Sequence, residues 1–86
     1  MDRKISEINF TENIKESEIK TLKYAAQHRP SKSYQAKYAE ALYITNQCDL
    51  FHEQMNVISS YYGDNYKNTT MARIKTKYNL FNSCSQ

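Results

Sequence analysis

Apolar residues recur along this chain at intervals of three and four rather than two. Phe51, Met55, Ile58 and Tyr62 are spaced four, three and four apart; Met71, Ile74, Tyr78 and Phe81 are spaced three, four and three. Such intervals line up side chains on one face of an α-helix. Ile14, Ile19, Leu22, Ala25 and Ala26 form a looser stripe, and Tyr34, Ala36, Tyr38, Ala39 and Leu42 another. Punctuation between the stripes is helical too. Thr11 can cap the first helix, with Glu12, Glu16 and Glu18 near its positive end. Pro30 stops it, after His28 and Arg29 have put positive charge at its C-terminus. Ser31 or Ser33 can cap the second helix, Thr45 or Asn46 the third, and Thr69 or Thr70 the fourth. Gly63-Asp64-Asn65 ends the third, because glycine accepts a positive φ.

This reading predicts an all-α fold, a small four-helix domain with helices near residues 12–28, 33–42, 46–62 and 70–81 and no sheet. Leu22, Leu42, Phe51, Met55, Ile58, Ile74 and Phe81 are its expected core. Residues 1–86 form one domain, in which 1–10 are an arm and 83–86 a frayed tail.

Composition narrows the class. With one glycine and one proline in 86 residues, neither a turn-rich β-domain nor a Gly-rich phosphate loop can be built. The hydrophobic fraction of 40% is enough to fold. So short a chain has a thin core, and leftover apolar surface is covered by a second copy; a homodimer is expected. No apolar run is long enough to cross a bilayer, and the N-terminus lacks the apolar stretch of a signal peptide. A cytoplasmic protein with no membrane association is expected, in which Cys48 and Cys84 are reduced thiols.

Charge is segregated. Between residues 19 and 37 stand Lys20, Lys23, Arg29, Lys32 and Lys37 and no acid; between 38 and 64 stand Glu40, Asp49, Glu53 and Asp64 and no base. From residue 65 onward Lys67, Arg73, Lys75 and Lys77 are again all positive. The net +3 conceals two basic segments around an acidic one.

Catalysis has little to build on. Cys48 and His52 share a helix face with Glu53 adjacent, but nothing completes a thiol–imidazole relay or a four-ligand metal set. No enzyme activity, cofactor, metal or small-molecule substrate is expected. A binding pattern is better developed. Within 33–58, Ala39 is the small residue at which two helices can cross, Leu42 and Ile44 are the apolar residues before and in a turn, and Thr45 or Asn46 opens a further helix. The stretch from Gln35 to Asn46 resembles the helix-turn-helix of KorA-type plasmid repressors and, more distantly, of PapB-type fimbrial adhesin regulators. The resemblance implies a small dimeric DNA-binding transcriptional regulator. Asn46 and Gln47 would then reach adenine edges, while Lys32, Lys37, Arg73, Lys75 and Lys77 contact phosphates. An alternative starts from Asp49 and Glu53, which give the second helix of that motif acids and no bases. The hairpin with Ser33-Tyr34-Gln35 opening its second helix is similar to the needle co-chaperones of type III secretion. That similarity implies a non-enzymatic helical adaptor for a protein partner.

Overall fold

In the computed structural model, which describes residues 5, 7–11, 13–28 and 31–78, the periodic segments form four α-helices of 13 or 15 residues: α1 (Glu16–His28), α2 (Lys32–Ile44), α3 (Cys48–Tyr62) and α4 (Asp64–Tyr78). They make a small four-helix bundle, with no strand among the described residues. Helix α2 is its centre, and α1, α3 and α4 all pack on it. Nine of its thirteen residues are buried, including Glu40 and Gln35. The expected core residues Leu22, Leu42, Phe51, Met55, Ile58 and Ile74 are buried, joined by Tyr43, whose ring meets Phe51 at 5.2 Å between centroids. Phe81 and the tail at 83–86 lie outside the described residues.

Helix ends account for most departures from the expected boundaries. Helix α1 begins at Glu16, because Thr11 organises a turn of its own. The Thr11 Oγ1 accepts from the Asn13 amide at 3.2 Å and the Thr11 carbonyl from the Ile14 amide at 3.1 Å. Glu18 then reaches back to accept the Lys15 amide at 3.0 Å, one half of a capping box. Ser31 caps α2, accepting from the Tyr34 amide at 3.1 Å.

Neither Thr45 nor Asn46 caps α3; both close α2. Asn46 takes a left-handed φ of 64°. Its amide bonds the Tyr43 carbonyl at 3.1 Å, and the Gln47 amide bonds the Leu42 carbonyl at 2.9 Å. That pair of bonds is a Schellman closure. The Thr45 hydroxyl donates to the Ala41 carbonyl at 2.8 Å and accepts from the Gln47 side-chain amide at 2.9 Å. Helix α4 starts at Asp64 rather than at residue 70. Gly63, at φ 91°, reverses the chain by itself, and Ser59 Oγ bonds the Asp64 carboxylate across the junction. Residues 65–69 have modest helix propensity, but packing of Tyr66 and Thr70 outweighs it.

Of residues 1–10, read as an arm, the structure describes 5 and 7–10. Ile5 is buried, and Ile8 and Phe10 pack against the core.

Candidate functional site

Side chains on α2 and α4 face one another across a cleft of about 430 Å³. Lys37 and Glu40 lie one turn apart on α2, and Arg73 and Lys77 one turn apart on α4. Tyr66 and the N-terminal residues Ile5, Ile8 and Phe10 complete the wall. Lys32 stands at the Tyr66 end, its Nζ 5.1 Å from the centre of that ring and 5.8 Å from that of Tyr62. The Tyr66 hydroxyl also donates to the Lys32 carbonyl at 3.4 Å, so α4 runs parallel to α2 from this point.

At the other end Glu40 is buried. Its carboxylate accepts from the Tyr78 hydroxyl at 2.5 Å and pairs with Lys77 Nζ at 3.4 Å. A buried carboxylate needs such partners, because losing water costs it several kcal/mol otherwise. Burial, followed by the hydrogen bond to Glu40 and its negative charge, pushes the Tyr78 phenol well above its ordinary value; Arg73 opposes this weakly.

Four of the residues expected to meet phosphate, Lys32, Lys37, Arg73 and Lys77, therefore gather on one face. Three do not join them. Lys75 is absent from the cleft wall. Asn46 and Gln47 sit at the α2–α3 corner, where they close a helix end. The outward face of α3, which a helix-turn-helix would lay in a DNA groove, carries Asp49, His52, Glu53, Asn56 and Tyr61, with neither lysine nor arginine. Two carboxylates there are repelled by phosphates.

A second cleft, also of about 430 Å³, opens between α1 and the start of α3. Tyr38 and Leu42 of α2 form its floor, Ile19, Lys20 and Lys23 one wall, and Leu50 the other. Burial, then the charge of Glu53, raises the Tyr38 phenol above its ordinary value. All four exposed large hydrophobic residues among those described, Tyr24, Leu50, Val57 and Tyr61, lie on α1 or α3. Leu50, Val57 and Tyr61 are seven and four residues apart, hence on one side of α3.

Buried amides tie these surfaces together. Gln35 Nε2 donates to the Ala26 carbonyl at 2.8 Å, and Gln54 Nε2 donates to Gln35 Oε1 at 2.5 Å and to the Gln35 carbonyl at 3.2 Å. This relay links α1, α2 and α3 and satisfies a carbonyl in the last turn of α1. Sequence periodicity missed it, as it missed Glu40. The one signal was a polar residue on a helix with no polar face to spare.

Cys48 is disulfide-bonded, which corrects the expected free thiol and removes it as a thiolate partner for His52; Cys84 lies outside the described residues. No cluster of His, Cys, Asp and Glu able to hold a metal occurs among the described residues. None of the described helices is long and apolar enough to cross a membrane. No protein family, no curated protein and no solved structure matches the chain.

Proposed function

We propose that this chain is a non-enzymatic helical binding protein that docks through its α1–α3 face, and that the partner is a second copy of itself. One observation carries the reading: every exposed large hydrophobic among the described residues lies on α1 or α3. Charge complementarity selects the occupant. The outward charges of α3 are Asp49 and Glu53, whereas Lys20 and Lys23 line the α1 wall behind a single acid, Glu16. Setting α3 of one copy against α1 of another places Leu50, Val57 and Tyr61 on apolar surface and opposite charges side by side. Self-association of this kind is the simplest form of the adaptor reading, and an unrelated helix with basic flanks is the competing occupant.

Sedimentation equilibrium at micromolar concentration tests it. The wild type is expected to dimerise. Lys20→Glu with Lys23→Glu should leave a monomer, and so should Asp49→Lys with Glu53→Lys. Mixing the two variants should restore a heterodimer. A wild type that stays monomeric overturns the second copy as partner.

A second reading, DNA binding, is favoured by the gathering of Lys32, Lys37, Arg73 and Lys77 on the α2–α4 face. Here DNA is held by its backbone on that face rather than by α3 in a groove, and a dimer would present two such faces. Affinity for mixed-sequence duplex should then fall with salt at a log–log slope of about −3, as expected when Lys32, Lys37 and Arg73 neutralise roughly three phosphates while Lys77 stays on Glu40. Indifference to duplex at low salt removes this reading and leaves the docking one.

Compartment follows Cys48. In a reducing cytoplasm it would be a thiol, whereas a structural disulfide persists where thiols are not kept reduced. Protein taken from cells and alkylated without reduction should remain unmodified at Cys48; alkylation there would restore the expected cytoplasmic thiol.

A further inference from the structure

We propose that the α2–α4 cleft is a binding site for an organic phosphomonoester. The inference is independent of docking through α1 and α3. Its first support is the charge balance around Glu40. That carboxylate is engaged by the Tyr78 hydroxyl and by Lys77, so one acid and one base of the cleft offset each other. Lys37 from α2 and Arg73 from α4 line the same space, and among the described residues neither has an ion-pair partner. Two positive charges from two helices, without an ion-pair partner among the described residues, match a ligand carrying two negative charges. A phosphomonoester has nearly that charge near neutral pH, while a diester or a carboxylate has one. The planar guanidinium of Arg73 can hold two phosphate oxygens at once, and the Lys37 ammonium can serve as a point charge on a third.

The second support is the wall. Ile5, Ile8, Phe10 and the Tyr66 ring border the cleft beside these cations. They offer an apolar surface to whatever the phosphate is attached to, which inorganic phosphate lacks. A space of about 430 Å³ suits a small ligand of this kind. Among the described residues of the cleft wall the one carboxylate, Glu40, is held by Tyr78 and Lys77 and no histidine is present, so the proposal is of a ligand rather than a substrate.

Phosphate can also be offered by a nucleic-acid backbone, and the experiment separates the two sources. Amide chemical shifts of the full chain would be followed on titration with phenyl phosphate, inorganic phosphate and a mixed-sequence duplex. Phenyl phosphate is expected to saturate with shifts centred on Lys37, Arg73 and Ser33, which also lines the cleft, and to bind about tenfold tighter than inorganic phosphate. Arg73→Ala and Lys37→Gln should each weaken it about tenfold, while Lys75→Ala, outside the cleft, should not. Lys37→Gln retains most of the half-buried side chain, and the amide spectrum itself reports whether either variant is folded. The proposal is overturned if phenyl phosphate fails to saturate, or if both cleft variants bind it like the wild type. Duplex that binds at these residues while phenyl phosphate does not also overturns it and assigns the cations to a nucleic-acid backbone.

Discussion

Glu40 shows how one residue can be decisive yet invisible to periodicity. It sits on the most buried helix and is neutralised from α4 through Tyr78 and Lys77. Tyr78→Phe deletes one of those partners and keeps the ring, and should cost about 1–2 kcal/mol in chemical denaturation, the range for a hydrogen bond to a charged group at a half-buried site. The same bond sets a pH dependence. Folding raises the Tyr78 phenol above its ordinary value of 10.0, so its contribution to stability is complete below that value and is lost as pH rises beyond it. Tyr38, raised by burial and then by Glu53, acts in the same direction. Stability should therefore decline above about pH 10, and less steeply in Tyr78→Phe. An equally steep decline in that variant would exclude the Tyr78–Glu40 bond as a source. Gln54→Leu tests the buried relay similarly. Leaving the Gln35 side-chain oxygen without its donor should cost about 1–3 kcal/mol, and a neutral result would mean that water replaces the bond.

Among the elements, helix interiors were easier to anticipate than their ends. The α3 stripe of Phe51, Met55 and Ile58 is buried as its spacing requires. Ile58→Ala should lower stability by roughly 2–4 kcal/mol, since a fully enclosed site collapses poorly around a lost side chain. Ends depend on choices among several competent residues. Thr45 and Asn46 were equally able to open α3 or to close α2, and the closure prevailed because five bonds from Thr45, Asn46 and Gln47 meet there. Asn46 at φ 64° explains why this corner needs no glycine. Replacing it with Gly should be neutral or stabilising by a few tenths of a kcal/mol, whereas Val should cost about 1–2 kcal/mol, the penalty for a branched residue in that conformation. Comparable melting of the Gly and Val variants would show that the left-handed corner is not maintained. The early start of α4 has a similar origin, because one glycine can end a helix and begin the next without a linker.

For the whole molecule, periodicity and the scarcity of glycine and proline were sufficient to specify an all-α bundle of four helices, with six of the seven expected core residues buried and Phe81 undescribed. These are consequences of local geometry: a helix repeats every few residues, so its apolar face is written in consecutive stretches. Segregation of charge along the chain was equally plain, and both the proposed dimer and the proposed phosphate site are argued from it. Which charges share a face was not. Arg73 and Lys75 are two apart, yet one lines the cleft and the other does not, while Lys37 and Arg73, 36 positions apart, line it together. The Glu40–Tyr78 bond spans 38 residues and the Gln35–Gln54 bond 19. Sequence spacing encodes which way a side chain turns on its own helix. Only the packing of one helix on another decides what it meets there, and it was that packing which brought Lys37, Arg73 and Lys77, scattered along the chain, to one cleft.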